Sequence, residues 1–302
     1  MTLTLRPITG PDELDLFNRL TYVLNDQLAD DLANGRRRPE WLWMALRGDT
    51  VVARAAWWCR PGDERPVLMD IFDLDGDTAD GVRLVRTALA SLGVAPPEFC
   101  HYLAPDWRDH EETRRAAEQR MAALQETGAK LFVERLRMDW LPGTPIPAPS
   151  GRLTFRPPHD AEELIGLMTR VLDGTLDAYS RADLTTMTAA EAARTQYRDE
   201  LEKFASPHDW WRVGVTAGGE PVGFVVPAHN GYNPCIAYIG VVPEHRGRGH
   251  VDDLLAAGTS VLAAQDVPRI RASTDLGNTP MAAAFARAGY QVFQRQIDMT
   301  WD

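Results

Sequence analysis

The chain contains one long internal repeat, and a repeat of this length restricts it to folds that can be built twice in succession. The segment LTLRP at residues 3–7 returns 150 positions later as LTFRP at residues 153–157. The pair EL at residues 13–14 returns at residues 163–164 with the same spacing. Each half is therefore predicted to begin with the same strand and helix.

The later parts of the two halves also correspond. TGAKLFVERLRMDW at residues 127–140 aligns with AGYQVFQRQIDMTW at residues 288–301. WLWMALRGDTVVA at 41–53 parallels WRVGVTAGGEPVG at 211–223, each typical of two strands joined by a glycine turn. The stretch between the halves is rich in proline, as semi-rigid linkers are. We predict an N-terminal domain over residues 1–141, a linker over 142–151 and a C-terminal domain over 152–302.

Composition is that of a globular protein. The 302 residues are 44% hydrophobic and carry a net charge of −11 without any lysine- or arginine-rich block, which disfavours binding to nucleic acid or to an anionic membrane. The N-terminus does not resemble a signal peptide, and no run is long enough to cross a bilayer. We therefore expect a cytoplasmic protein, and we expect it to be a monomer or a homodimer.

The three cysteines, Cys59, Cys100 and Cys235, are scattered and lack C-x-x-C spacing. This pattern indicates neither a disulfide framework nor a zinc site. We expect them to be small core residues, and we expect no metal site.

The second half contains a strand, a basic glycine turn and a helix in immediate succession. Ile236–Val242 is a short run rich in β-branched residues, which predicts a buried strand, and Pro243 ends it. The turn HRGRGH follows at residues 245–250. Apolar residues then recur at helical spacing as far as Leu262.

This unit has the properties of a diphosphate-binding turn. Gly247 and Gly249 permit positive φ angles and a close approach of the backbone, so that successive amides can converge on one point. The N-terminus of the helix adds unpaired donors and a positive dipole, while Arg246 and Arg248 add formal charge. An ordinary strand-to-helix connection with two solvated arginines explains the same residues and stays open from this segment alone.

A second motif lies downstream and reads NTPMAAAFARAGY at residues 278–290. It predicts a helix capped by Asn278, with Met281 and Phe285 on one face, that stops at Gly289. The two motifs, with a strand predicted at Arg269–Ser273 between them, resemble the GNAT superfamily of acyl-CoA-dependent N-acetyltransferases. The resemblance covers the C-terminal half of the chain.

The resemblance and the repeat together imply an α/β (α+β) chain of two GNAT folds in tandem, each a mixed, mostly antiparallel sheet flanked by helices. The resemblance also implies acetyl-CoA as cosubstrate. Val251 stands where relatives usually have glycine or alanine. The residues implied to bind the cosubstrate are Ile239, Val241, Val242, Arg246, Gly247, Arg248, Gly249, His250, Val251, Asn278, Met281 and Phe285.

The first half differs from the second at the position of the glycine turn. It has the acidic sequence LMDIFDLDGDTADGVR at residues 68–83, whose aspartates would repel a phosphate. A calcium loop is disfavoured because no glutamate follows at the required spacing. We expect a solvated acidic loop here and a degenerate N-terminal domain that does not hold CoA.

The resemblance implies direct attack of a neutral amine on the thioester, with the Val241 amide donating to the developing oxyanion. Many relatives carry a tyrosine acid in the second motif, and here that position is Phe285. The strand before the glycine turn also lacks the acidic base of some relatives. The remaining candidates for proton transfer are Asp275, His229 and, through water, Tyr238. A helix cap, a turn residue and a core residue are the respective structural alternatives.

The acceptor pocket of this family is shaped by helices that we predict at Ala161–Leu172 and Ala189–Phe204, and by the polar connection Asp173–Asp183 between them. Trp211 is predicted to lie in the core. The resulting hypothesis is an N-acetyltransferase that acts on a small-molecule amine. Two alternatives stay open: a mycothiol-synthase-like acetyltransferase, and a non-catalytic acyl-CoA-binding sensor or interaction protein.

Overall fold

The computed structural model describes residues 2–93 and 95–301. The strands of this part are β1 (Leu3–Pro7), β2 (Leu42–Arg47), β3 (Thr50–Trp58), β4 (Leu68–Leu74), β5 (Glu98–Leu103), β6 (Lys130–Trp140), β7 (Thr154–Arg156), β8 (Arg212–Val215), β9 (Pro221–His229), β10 (Pro234–Val241), β11 (Ile270–Asp275) and β12 (Gln291–Thr300). The helices are α1 (Leu14–Phe17), α2 (Leu28–Ala33), α3 (Thr78–Leu92), α4 (Glu111–Glu126), α5 (Ala161–Val171), α6 (Ala178–Asp183), α7 (Ala189–Asp199), α8 (His250–Ala263) and α9 (Thr279–Arg287).

The chain forms two compact units, and the first comprises the residues up to Glu134 and those from Arg295 onward. Its strands follow the order β1-β2-β3-β4-β5-β12. Neighbours in this sheet are antiparallel except β4 and β5, which run parallel. The buried core includes Phe17, Trp57 and Phe99. This unit is an α/β structure with a mostly antiparallel sheet, as predicted.

The second unit spans Arg135–Gln294. Its strands follow the order β6-β11-β10-β9-β8-β7, again antiparallel except for one parallel pair, β10 with β11. One hydrophobic cluster joins α5 and α7 to the sheet, and a second joins α8 and α9 to it. Helices therefore flank a mostly antiparallel sheet in this unit as well, which confirms the predicted fold class.

The compact units differ from the sequence halves 1–141 and 152–302 in their last strands. Residues 135–140 of β6 belong to the second unit, where they pair with β11 from Ile270 to Asp275. Residues 295–299 of β12 pair with β5 in the first unit. The repeat marks where the motif recurs along the chain, whereas the pairing partner of a strand is set by tertiary contacts.

Several local predictions can be compared directly with the structure. The strand before the glycine turn, the helix after it and the helix capped by Asn278 are confirmed. Trp211 and all three cysteines are buried, as predicted. The predicted helix Ala189–Phe204 is too long, because α7 ends at Asp199. The connection Asp173–Asp183 is not wholly a loop, because it contains α6.

The repeat is visible as one ion pair built twice. Arg6 binds both oxygens of Glu13 at 2.8 and 2.6 Å, and Arg156 binds both oxygens of Glu163 at 2.8 and 2.5 Å. Each carboxylate also accepts a backbone N–H from the residue four positions before it. The hydrogen bonds from Arg6, joined by those from Thr9, lower the pKa of Glu13 to about 2.

We expect the Glu13 pair to make stability pH-dependent in the acid range. A depressed carboxylate pKa stabilises the fold above the unfolded-state value of about 4.3, and this stabilisation is lost as pH falls toward about 2. Because the pair is partly exposed, Glu13→Gln should cost no more than about 1 kcal/mol at pH 7. Urea unfolding at pH 7 and pH 3 measures this, with the exposed Asp12→Asn as control. A deficit that persists undiminished at pH 3 would contradict the expectation.

The acidic stretch of the first half is a solvated loop only at residues 75–77, and the prediction was wrong for Asp73 and Asp80. Asp73 lies in β4, is 2% exposed, and is bound by Arg54 at 2.8 Å and by Arg120 at 3.1 Å. Asp80 is 3% exposed and is paired with Arg47 at 2.8 Å. The sequence pattern missed these partners because they lie 19 to 47 positions away.

Asp73→Asn should strongly destabilise the first unit. The change leaves two largely buried guanidinium groups without their carboxylate, a situation that typically costs about 3–5 kcal/mol. Asp75→Asn, two positions away and exposed, should change the free energy of unfolding by less than about 0.5 kcal/mol. Urea unfolding of both variants makes the comparison. Equal, small effects would mean that Asp73 is solvated after all.

Candidate functional site

The central strand of the second unit loses its parallel neighbour part of the way along. Among the residues that the structure describes, β10 pairs with β11 only at Cys235 and Arg271, although it continues to pair with β9. The register against β9 shifts between Ile236 and Tyr238, which marks a β-bulge. Beyond the bulge, the edge of β10 that faces β11 is open.

The main chain at Val241 points into this opening. The Val242 N–H donates to the Val222 carbonyl at 3.0 Å, so residue 242 belongs to a hydrogen-bonded pair of the antiparallel ladder. Hydrogen-bonded and non-hydrogen-bonded pairs alternate, so the Val241 N–H and C=O point away from β9. Ile239 lies two positions earlier and has the same orientation. Both amides are therefore directed to the gap.

The glycine turn and the start of α8 provide a group of backbone donors. Gly247 and Gly249 have φ angles of 72° and 75°, in the region that only glycine adopts without strain. Within the described residues, no side chain caps α8 at Gly249. The first amides of a helix lack intrahelical partners, and the helix dipole makes this end positive. The turn is therefore suited to bind an anion through main-chain nitrogens.

Arg152 holds the turn through its carbonyl groups. Its guanidinium donates to the carbonyls of Arg248 at 2.6 Å and Gly249 at 3.3 Å, and to the carboxylate of Asp253 at 2.9 Å. In a planar trans peptide the N–H points opposite to the C=O. Fixing these two carbonyls on one side therefore directs the amides of the same peptide units to the other side.

Ser150 strengthens this arrangement from the predicted linker. Its N–H and its hydroxyl both donate to the Asp253 carboxylate, at 3.2 and 2.8 Å, and its oxygen also accepts from Arg152. Asp253 is 7% exposed and lies in the first turn of α8. Ser150, Arg152 and Asp253 together form a unit that we call the turn clamp.

Arg246 has a structural partner set that the sequence did not reveal. Its guanidinium donates to the carbonyls of Val241, Asp173 and Val171, at 3.0, 2.6 and 2.8 Å. It therefore ties the end of α5 to the end of β10. The side chain that extends from the turn into solvent is Arg248.

The remaining predicted residues around the turn separate into two groups. The rings of His245 and His250 are buried and lie 5.9 Å apart, and burial lowers the pKa of His250, which favours its neutral form. The main chain of His250 is therefore the group that we assign to an anion, since the ring carries no charge in its neutral form. Val251, Met281 and Asn278 are half-buried, and the Asn278 oxygen accepts from the Met281 N–H at 3.3 Å.

Two predicted cosubstrate residues are buried and make their contacts within the fold. The Val242 N–H is bound to Val222, its carbonyl accepts from His245 at 3.0 Å, and its side chain is fully buried. Phe285 is 2% exposed and packs edge-on against Tyr290 with ring centres 5.1 Å apart. The Tyr290 hydroxyl is itself buried and hydrogen-bonded to Thr259 at 2.8 Å, so it does not replace the missing tyrosine acid.

Asp275 lies at the end of β11 and anchors the short helix α6. Its carboxylate accepts the N–H of Ala178, the first residue of α6, at 2.6 Å, and it pairs with Arg135 at 3.1 Å. Asp177 caps the same helix through the Ser180 N–H and lies 3.7 Å from Arg135. Burial raises the pKa of Asp275, and Asp177 adds to the shift. Asp275 therefore positions α6, and Asn278 rather than Asp275 caps α9.

Tyr238 belongs to the same region, whereas His229 does not. Tyr238 packs edge-on against Phe224 at 5.0 Å, and burial together with Asp177 raises the pKa of its phenol, so that it can give up a proton only to a strong base. His229 pairs with Pro234, at the opposite end of β10 from Val241. It is exposed, and its ring accepts the Gly231 N–H at 3.1 Å, as a turn residue would.

Comparison with known proteins agrees with this geometry. Residues 152–291 match the family model described as an acetyltransferase (GNAT) domain. A GCN5-related N-acetyltransferase from Sphaerobacter thermophilus superimposes with a TM-score of 0.61 at 16% identity, over 98% of this chain and 94% of that chain. Residues 152–291 therefore form a domain of the GNAT superfamily.

Two further structures extend the GNAT fold over the whole chain. A tandem GNAT protein from the clavulanic acid biosynthesis pathway matches with a TM-score of 0.51 at 15% identity, covering 99% of this chain and 98% of that one. A glucosamine N-acetyltransferase region of a fungal multi-domain β-N-acetylglucosaminidase matches with a TM-score of 0.57 at 14% identity, covering 99% of this chain and 38% of that one. At these identities the matches show the fold, which is a tandem of two GNAT folds. The GNAT family binds acyl-CoA, and its fold supports acyl transfer.

Sequence reasoning missed several residues of this GNAT site. Arg135 lies in the first sequence half, and the turn clamp draws Ser150 from the predicted linker and Arg152 from the first position of the predicted C-terminal domain. None of them forms a local motif with the residues that they bind.

Within residues 2–93 and 95–301, no helix has both the length and the apolar character that crossing a bilayer demands.

Arg152→Gln should loosen the glycine turn of this GNAT protein. The change removes the contacts to two carbonyls and leaves the buried Asp253 with Ser150 alone. We expect amide hydrogen exchange in a peptide spanning residues 247–253 to become about tenfold faster. Arg170→Gln, which breaks an exposed pair with Glu244 nearby, is the matched control. Identical exchange in the two variants would show that the clamp does not order the turn.

Proposed function

We propose that this protein is an acetyl-CoA-dependent N-acetyltransferase that modifies a small-molecule amine, and that residues 135–294 carry the activity. One observation supports this most directly. The Val241 N–H is aimed into the gap between β10 and β11, and the same strand leads directly into the glycine turn before α8, whose N-terminus has no side-chain cap within the described residues. The Val241 N–H is suited to the thioester oxygen, and the glycine turn is suited to the diphosphate. Acyl-CoA carries both of these groups on one molecule.

The residues present fit an acyl-CoA molecule. Backbone amides from Gly247 to Val251, together with the exposed Arg248, are suited to the diphosphate. The main chain of Ile239 and Val241 is suited to the amide groups of the pantetheine arm, in the manner of an added strand. Asn278 has a side-chain amide beside the same opening. Arg246 acts here through its grip on three carbonyls, and we assign it a positioning role.

Acetyl-CoA supplies an activated acyl group when it is bound. The Val241 N–H is fixed by the ladder before any reaction, so it can stabilise negative charge on an oxygen without reorganising. Such preorganised donors, together with positioning, account for most of the acceleration that we assign to this site. The turn clamp contributes indirectly because it orients the diphosphate-binding amides.

The acceptor side is acidic and lies around α6. Asp177 is partly exposed and is suited to receive an ammonium group, while Asp275 and Arg135 hold the helix that carries it. Tyr238 keeps its phenol protonated at neutral pH and can donate a hydrogen bond. We assign Asp275 a positioning role because its carboxylate already binds the Ala178 N–H and Arg135. We assign His229 no role because it lies at the opposite end of β10 from Val241.

The first unit is proposed not to bind CoA. The N-terminus of α3, which corresponds to that of α8, is capped by the side chain of Asp77, which accepts from Ala79 at 2.9 Å. Asp80 occupies the first turn of the same helix. A diphosphate at this point would meet two carboxylates.

One observation favours a second candidate, a non-catalytic acyl-CoA-binding protein. Phe285 replaces the tyrosine acid of many relatives and is packed in the core, and Tyr290 does not substitute for it. A thiolate with a conjugate-acid pKa of about 8.5 is nevertheless a tolerable leaving group near neutral pH. For this reason we rank catalysis first.

Gly249→Asp should abolish cosubstrate binding, because it adds a carboxylate to the diphosphate-binding turn. We expect calorimetry with acetyl-CoA to show at least a hundredfold weaker binding. Gly76→Asp is the matched control, since Gly76 also has a positive φ angle and lies before α3 in the first unit. It should leave the affinity within about threefold of wild type. Similar losses in both variants would contradict a single working site.

Turnover is tested separately by thiol release against a panel of small amines. Acetyl-CoA consumption with at least one amine, lost in Gly249→Asp but kept in Gly76→Asp, supports the transferase. Tight acetyl-CoA binding without thiol release on any amine supports the non-catalytic alternative.

A further inference from the structure

Two buried histidines flank the glycine turn, and the proposed acetyl transfer uses neither ring. His245 ends the short 3₁₀ turn Pro243–His245 that follows β10, and His250 is the first residue of α8. The two ring planes are inclined by 67° to each other. Histidine is the side chain whose ordinary pKa lies closest to neutral pH. A histidine buried at an anion-binding turn can therefore respond both to pH and to the charge of the ligand.

The ring of His250 lies among more positive than negative groups. Burial lowers its pKa most, and Arg152, His245 and Arg248 lower it further because they repel a proton. Asp253 acts in the opposite direction, but its carboxylate is already paired with Arg152 at 2.9 Å. The ring is therefore neutral at pH 7 in the protein without a ligand.

The other carboxylates near the turn do not change this balance at His250. Two of them, adjacent to the histidines in sequence, are held in surface ion pairs, which are Glu244 with Arg170 at 3.2 Å and Asp252 with Arg287 at 2.7 Å. Glu220, directly before β9, lies 3.1 Å from Nε2 of His245, although the two groups are not aligned for a hydrogen bond. Glu220 therefore faces His245, and the cations face His250.

The position of His250 along α8 adds to the cost of charging its ring. The helix dipole places partial positive charge at the end where His250 lies. A cation in the first turn of a helix is unfavourable unless an anion compensates it. Asp252 and Asp253 lie in this turn, but arginines already bind both carboxylates.

A bound diphosphate would supply the missing negative charge. The proposed site uses the His250 N–H, which is joined to the imidazole of the same residue through only two carbon atoms. A phosphate oxygen within hydrogen-bond distance of that nitrogen therefore lies within about 8 Å of the ring. A negative charge at this distance favours the protonated ring. Since coupling between two ligands is reciprocal, the diphosphate and the proton should each strengthen the binding of the other.

We propose that the second unit binds acetyl-CoA together with a proton, which the ring of His250 takes up. The inference rests on the acetyl-CoA site proposed above, and it adds a regulation of that site by pH. Above the pH range in which the ring titrates, acetyl-CoA binds without a proton and more weakly. As the pH falls through that range, the binding of the cosubstrate becomes stronger.

Proton uptake can be measured by calorimetric titration of the full chain with acetyl-CoA at pH 6.5. PIPES and Bis-Tris buffers differ in their heats of ionisation, so the difference in the observed heat gives the number of protons taken up. We expect wild type to take up at least about 0.3 proton more than His250→Gln. The 3′-phosphate of the ligand also titrates near pH 6, but its contribution is common to both proteins and cancels in the difference.

The affinity should show the same coupling. We expect the ratio of the wild-type to the His250→Gln association constant to rise about fivefold from pH 8 to pH 5.5, because only wild type gains the charged ring. His159→Gln removes an exposed histidine of the same unit and is the matched control. It should follow wild type at every pH.

A second measurement needs no substitution near the turn. The protein contains seven histidines, whose ring Cε1–H resonances can be followed by NMR after labelling with ¹³C-histidine. We expect one resonance to titrate at a higher pH in the acetyl-CoA complex than in the free protein. That resonance should be absent from His250→Gln.

Two results would overturn the proposal and leave the acetyl-CoA site intact. One is equal proton uptake on acetyl-CoA binding by wild type and His250→Gln. The other is a set of histidine resonances that titrate identically with and without acetyl-CoA. Failure of wild type to bind acetyl-CoA at all would instead contradict the proposed function on which the inference rests.

Discussion

The second unit depends on a strand that stops pairing with its parallel neighbour. β10 and β11 meet at Cys235 and Arg271 and then separate, so a buried sheet presents main-chain donors from its interior. Unpaired backbone groups in such a place normally destabilise a fold. Here they are kept because the bulge, Arg246 and the turn clamp hold the strand and the turn that follows it. The proposed chemistry uses the groups that the sheet leaves unpaired.

The two units handle the same region of one fold in different ways. In the second, arginines bind carbonyls and thereby turn amides outward. In the first, arginines bind aspartates, and Asp77 satisfies the helix N-terminus internally. In the first unit the helix N-terminus that corresponds to the start of α8 is therefore already capped.

Features encoded by local spacing were predictable from the sequence. The repeat, the strand before the glycine turn, the two helices of the motifs and the core position of Trp211 all follow from periodicity and turn residues. The partners of charged side chains did not follow, because Asp73 finds Arg54 and Arg120, and Asp275 finds Arg135, across long separations. The buried contacts of Val242 and Phe285 were not predictable from the sequence either. A family motif gives the position of a residue along the chain, but it does not give the residues that pack against it.

The exchange of final strands has a consequence for biosynthesis. The sheet of the first unit is completed by residues 295–299, which leave the ribosome long after the other strands of that sheet. The sheet of the first unit therefore cannot be completed when residues 1–141 have been synthesised. The edge of β5 stays unpaired until residues 295–299 have also been synthesised. Cutting the gene at the proline-rich segment would yield two fragments that each carry the other's strand.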